Sequence, residues 1–132
     1  MSTIIKSSSE LRKNYNSIAD VCRRTKHCFR GYDYAALGQL ADRIVVMAHD
    51  YGPKTEPLNR VVRAVEMALA VVPREKLVLA ISAPSETAES IIPKIGVAKR
   101  YRLQGISLWR LGLVTSDMWT AMRQTITGRS SL

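Results

Sequence analysis

Cysteine is almost missing from this chain: Cys22 and Cys28 stand alone in 132 residues, with no C-x-x-C and no second pair. That excludes a disulfide-stapled fold, and two free thiols in a reducing compartment are the expected state. A zinc centre needs four ligands. His27 adjoins Cys28, but His49 is remote in sequence, so no metal and no other cofactor is expected. No apolar run approaches the roughly 18 residues that cross a bilayer. The opening MSTIIKSSSELRKNY also lacks the apolar centre of a secretion signal. No membrane partner is expected, and the expected location is cytoplasmic. Absent too are G-x-G-x-x-G, the P-loop and G-x-S-x-G. With them go the motif grounds for dinucleotide, nucleoside-triphosphate or serine-hydrolase chemistry.

What is present is a chain with 46% apolar residues, enough for a real core at this length. Its formal charge of +9 is unevenly spread. Residues 1–31 carry seven Lys/Arg against two acids, net +5; residues 32–132 carry thirteen against nine, net +4. Texture changes at the same place, so two regions are expected: 1–31, a strand and basic helix, and 32–132, a β/α domain. The dense positive head suits a phosphate backbone, and it equally suits a solvated helix face.

In the head, Ile4 and Ile5 predict a short strand. Ser7 with Glu10 makes a capping box and opens a helix to about Thr25. Leu11, Tyr15, Ile18 and Cys22 recur as a single apolar stripe. Arg12, Lys13, Arg23 and Arg24 fall mostly off it and are the candidate nucleic-acid contacts. The stretch SSSELRKNYNSIADVCRRT resembles the start of Phd/YefM-type antitoxins over about residues 3–25. That resemblance implies a DNA-binding or protein-interaction module. The glycine-turn hairpin and apolar β run that come next in the family do not follow; His27-Cys28-Phe29-Arg30-Gly31 does.

From Tyr32 strands and helices alternate. Tyr34 to Leu40 predicts a short helix. RIVVMA, Arg43 to Ala48, predicts a strand buried on both faces. Asn59 to Val72 predicts a helix with Pro57 in its first turn and Pro73 as its stop. KLVLAIS, Lys76 to Ser82, predicts a second buried strand. Ser85 caps a helix through Ile92, which Pro93 kinks or restarts and Gly96 weakens. Leu103 to Leu108 predicts a third buried strand. Ser116 caps a last helix with Trp119, Met122 and Ile126 on one face, and the tail from Gly128 frays. Three strands alternating with helices imply crossover connections and a parallel sheet.

In parallel β/α folds chemistry gathers where strands end. The first strand ends in His49-Asp50-Tyr51, the second in Ser82-Ala83-Pro84, the third in Trp109-Arg110. An indole stacks on apolar sugar faces and a guanidinium orients anionic or hydroxyl groups. The plainer reading of Trp109 is a core residue under a loop. His49 and Asp50 are strand neighbours and point to opposite faces unless the strand has ended; the plainer reading of His49 is a satisfied polar residue. Glu86 and Glu89 are explained by helix capping.

DYAALGQLADRIVVMAHDY, PREKLVLAIS and GISLWRLGL together resemble the last part of a glycoside hydrolase family 18 barrel, spore-coat or chitinase-like, over about residues 32–122. The resemblance implies strands six, seven and eight of a TIM barrel. The fold class expected is therefore α/β, three parallel β/α units of a partial TIM barrel preceded by a basic N-terminal helix. Met47-Ala48-His49-Asp50 stands where the family has M-x-Y-[DN], with His for the usual Tyr. Trp109 matches the tryptophan that floors the family's sugar subsite. Trp109, Asp50, His49, Tyr51 and Arg110 are thus the candidate substrate-binding residues. The implied ligand is an N-acetylglucosamine-containing polysaccharide of chitin or peptidoglycan type.

The family's acid motif, D-x-x-D-x-D-x-E, occurs nowhere in the sequence. General acid catalysis contributes about 10²–10⁴-fold, so no catalytic residue is assigned and the chain alone is expected to be inactive. If active, it would be a family 18 glycosidase. The function expected is a truncated hydrolase-like domain with at most a relic sugar-binding surface; the alternative is the antitoxin-like module. Open sheet edges pair, so self-association is expected.

Overall fold

The computed structural model describes residues 28–29, 32–52 and 55–128. The head strand, the basic helix and its Arg12, Lys13, Arg23 and Arg24 lie outside the described residues, as does the chain beyond Gly128. The first elements are two short strands, β1 (Cys28–Phe29) and β2 (Tyr32–Asp33), paired antiparallel. Helix α1 (Tyr34–Leu40) follows at once, because Asp33 caps it by accepting from the Ala35 and Ala36 amides at 3.0 and 3.1 Å.

The body of the fold is a three-stranded parallel sheet. Strand β3 (Ile44–Met47) pairs with β4 (Leu77–Ser82), and β4 with β5 (Gly105–Trp109), in the order β3-β4-β5. Helix α2 (Leu58–Leu69) connects the first pair and α3 (Ala88–Arg100) the second; α4 (Ser116–Thr127) closes the described chain. The architecture is α/β, in keeping with a partial TIM-barrel-like arrangement.

Helices cover one face of this sheet. Leu79 and Ile81 of β4 meet Val61 and Val65 of α2, Ile91 and Ile95 of α3, and Ala121 and Met122 of α4 in one buried cluster. Val46, Ile106 and Leu108 pack against its margin. The residues between them, Val45, Met47, Val78, Ala80, Gly105, Ser107 and Trp109, belong by alternation to the opposite face.

Several expectations need correction. β3 is not buried on both faces: Val45 and Met47 are 50% and 62% exposed, because this edge strand has a covered face on one side only. β5 is half-buried rather than buried, for the same reason. Helix α2 ends at Leu69, three residues before Val72. The cap of α3 is Thr87, not Ser85; Thr87 accepts from the Ser90 amide while the Ser90 hydroxyl accepts from the Thr87 amide. Pro93 does not interrupt α3. Its missing amide would have bonded the Glu89 carbonyl, and both residues are exposed, so water can serve that carbonyl. Thr115, not Ser116, caps α4. Trp119 and Ile126 are exposed, and Met118, Ala121 and Met122 make the buried stripe instead.

Long-range polar contacts tie the layers. Lys76 donates to the carbonyls of Gly38 and Gln39, closing the end of α1. Lys99 does the same for α4 through the Thr125 and Gly128 carbonyls. The Tyr101 hydroxyl donates to Glu66 at 2.6 Å, joining the ends of α2 and α3. That bond, with lesser help from burial and the Glu66 charge, raises the Tyr101 phenol above its ordinary range. Among the described residues no helix is long and apolar enough to cross a membrane.

Candidate functional site

The C-terminal ends of the three strands form one rim. Pairing places Met47 beside Ala80 and Ala80 beside Ser107; the next row on that face is Ser82 beside Trp109. His49 stands two residues beyond Met47. The expected residues therefore reach the rim in two groups. His49, Asp50 and Tyr51 follow β3; Trp109 and Arg110 end β5. One strand, β4, lies between them. Adjacent strands are about 4.8 Å apart, so the groups are separated by roughly 10 Å. Among the described residues no hydrogen bond or ion pair links them.

The first group is built on a sharp turn. β3 ends at Met47, the Ala48 amide turns back to the Val46 carbonyl at 3.1 Å, and Asp50 takes a left-handed φ of 65°. Such a backbone is uncommon for a non-glycine residue, and here its support is visible. Glu56, almost wholly buried, accepts from the amides of Asp50 at 2.8 Å and Tyr51 at 3.1 Å. Two charge-assisted bonds of about 1.5–3 kcal/mol each exceed the cost of the strained residue. Glu56 was not legible as a site residue. An acid just before Pro57 and a helix reads as ordinary first-turn chemistry.

The turn changes the fate of His49 and Asp50. Because the strand has ended, they do not diverge: His49 Nδ1 lies 3.1 Å from Asp50 Oδ2. The distance is that of an ion pair, but its angles are not those of a hydrogen bond, and neither ring nitrogen has a hydrogen-bond partner among the described residues. The imidazole is buried while the Asp50 carboxylate is 79% exposed. The one polar group beside the ring among the described residues is therefore the Asp50 carboxylate.

Tyr51 completes the group. Arg60 sits over its ring, 5.6 Å from the centroid. Burial, then the nearby Glu56 charge, raises its phenol above the ordinary range, with Arg60 partly opposing.

The second group is simpler. Trp109 is not a core residue under a loop: 52% of it is exposed at the tip of β5. Arg110 follows with a φ of 59°, another left-handed non-glycine residue on the same rim. Strained residues gather at functional positions, and Asp50 and Arg110 hold corresponding places after the two outer strands.

Behind the middle of the rim lies a buried charge pair, Glu86 with Lys94, which helix capping alone does not explain. Glu86 follows the short turn after β4, and its carboxylate accepts from Lys94 and from the Ser90 hydroxyl. Both charged side chains are buried, and Glu86 Oε1 has no partner among the described residues. Glu89, by contrast, does behave as a first-turn acid. Its own amide and the Thr87 hydroxyl hold it below the usual carboxylate range. Among the described residues there is no cluster of three or more His, Cys, Asp or Glu fit to hold a metal.

No family model matches this chain, and no curated protein matches it. Solved structures do. A chitinase from Chromobacterium violaceum ATCC 12472 aligns with a TM-score of 0.68 at 19% identity, covering 76% of this chain and 50% of that one. The spore cortex-lytic enzyme SleL of Bacillus megaterium QM B1551 aligns at 0.66 and 17%, covering 79% and 38%. SleL of Bacillus cereus aligns at 0.68 and 18%, covering 88% and 46%. The chain spans half or less of the length of these proteins. At such identities the likeness is one of fold alone. It does not bear on the antitoxin resemblance of residues 3–25.

Proposed function

We propose that residues 32–132 form a partial family 18-like barrel whose rim binds an N-acetylglucosamine-containing polysaccharide without hydrolysing it. The observation that carries this reading is the half-exposed Trp109 at the end of β5, in the same row as Ser82. An indole so placed offers a flat apolar face to a sugar ring. Arg110 and Asp50, both exposed, supply charged partners for hydroxyl groups at the rim. His49 is buried beside Asp50, and Arg60 sits over the Tyr51 ring in the same turn. No residue takes the role of the family's acid, since the D-x-x-D-x-D-x-E motif is absent from the sequence. Among the described residues β3 and β5 each have a strand on one side only, which supports self-association as part of the same proposal.

The test is a titration of N-acetylglucosamine oligomers against Trp fluorescence in a Trp119→Phe background, leaving Trp109 as the reporter. A saturable change that vanishes in Trp109→Ala, read by calorimetry, is expected. Equal calorimetric binding by the Trp109→Ala variant would sink the platform. Release of chromophore from a chromogenic chitobioside would overturn the prediction of inactivity.

A further inference from the structure

We propose that the groove at the other end of the sheet, where the strands begin, binds a compact oligophosphate group. This groove of about 640 Å³ lies where α2 and α3 end and β4 starts, and Arg74, Glu75, Arg100, Tyr101 and Arg102 line it. Its size is within the range of roughly 300–1,000 Å³ of small-ligand sites. It is remote from the rim: Arg74 and Arg102 precede β4 and β5, whereas Trp109 ends β5.

The charge balance of the groove is uneven. Three arginines line it against one glutamate. Glu75 is engaged by Arg74, with Nε at 3.4 Å, and the neighbouring Glu66 is engaged by the Tyr101 hydroxyl. Arg100 lies 5.9 Å from the centroid of the Tyr101 ring. Among the described residues neither Arg100 nor Arg102 has an ion pair. Basic residues in a last helical turn offset the helix dipole, which accounts for Arg100 and for Lys99, whose ammonium is used to close α4. It does not account for Arg74, which stands outside both helices, nor for Arg102.

Arg102 is the sharper observation. The Leu103 amide bonds the Ala98 carbonyl and the Arg102 amide bonds the Lys99 carbonyl, each at 3.0 Å, so α3 ends in a Schellman motif. The left-handed position of that motif favours glycine, yet Arg102 holds it at a φ of 52°. The turn gains nothing from an arginine there; the groove gains a second lining arginine without an ion pair among the described residues. Guanidiniums offer forked donors matched to phosphate oxygens. Gathered in one groove rather than strung along a face, they suit two or three linked phosphates better than an extended nucleic-acid strand.

The full chain is titrated calorimetrically with inorganic tripolyphosphate, and with monophosphate as the weaker anion. Two variants are compared: a groove variant, Arg100→Gln with Arg102→Gln, and a head variant, Arg12→Gln, Lys13→Gln, Arg23→Gln and Arg24→Gln. Saturable binding of one tripolyphosphate per chain, weakened about tenfold or more in the groove variant and unchanged in the head variant, is expected from the loss of two charge-assisted contacts. Arg100→Lys, keeping the charge without the fork, should fall between, and it covers the case in which the double variant folds poorly. Loss confined to the head variant, absence of saturable binding at low salt, or tighter binding of a single-stranded oligonucleotide through the groove would each overturn the proposal.

Discussion

The central β/α unit and the two that flank it have the same composition type and different lives. In β4 all six residues are buried, and α3 behind it buries Ile91, Lys94, Ile95, Val97 and Ala98. In β3 and β5 burial is partial, and the largest side chains of the outward face, Met47 and Trp109, stand mostly in solvent. The difference comes from position, not from the strands themselves: IVVM is as apolar as LVLAIS, but among the described residues only β4 has a strand on each side. The middle unit carries the buried core, and the outer two leave large side chains in solvent.

The most forceful way to break this contrast is at the buried charge. Lys94→Met leaves Glu86 buried without its cation, and a loss of about 3–5 kcal/mol is expected in urea unfolding. Glu86→Leu with Lys94→Met should recover most of it. If the single variant unfolds like the parent protein, the middle unit is not the stable centre. Next comes Leu79→Ala, a cavity in the core cluster, expected to cost about 2–5 kcal/mol by the same measurement. Met47→Ala on the exposed face should stay within about 0.5 kcal/mol; equal costs at the two positions would mean that the outer face of β3 is covered in solution.

Glu56→Gln sharpens the contrast from the rim side. It weakens two amide bonds under Asp50 and Tyr51, and a stability loss of about 1–3 kcal/mol is expected, with weaker oligosaccharide binding. The smallest effect concerns Tyr101. Its phenol is raised in the folded chain by the bond to Glu66, so that contribution is complete below the ordinary value of 10.0 and is lost as pH climbs through the raised one. Tyr101→Phe should therefore flatten the alkaline limb of stability against pH, and a variant with an unaltered limb would place the effect elsewhere.

Much of this was legible in the residues. The apolar runs IVVM and LVLAIS and the spacing of Val61 and Val65 signal strand and helix because burial demands those periods. The rim was legible because strand ends in parallel sheets come together, which brought His49, Asp50, Trp109 and Arg110 to one end. What escaped was whatever depends on partners distant in space or on exact backbone turns. Glu56 and Lys94 look like solvated charges until their amides and carboxylate are in place. The meeting of His49 with Asp50 depended on a turn that no residue type announced, since Asp50 is not a glycine. The burial of β3 failed because periodicity describes a strand and says nothing of whether its neighbour exists.

The bond from Lys76 to the Gly38 carbonyl has a consequence for anyone cutting this protein. Gly38 also lies so close to Val72 that a Cβ would meet its methyl at 3.3 Å. Helix α1 is thus a fitted lid on the foot of β4, not a connecting remnant. A fragment begun at Ile44, the natural choice if strands alone are counted, would strip the lysine of its two carbonyl acceptors and open Val72 to water. A fragment that keeps α1 must also keep Asp33, whose carboxylate caps the helix.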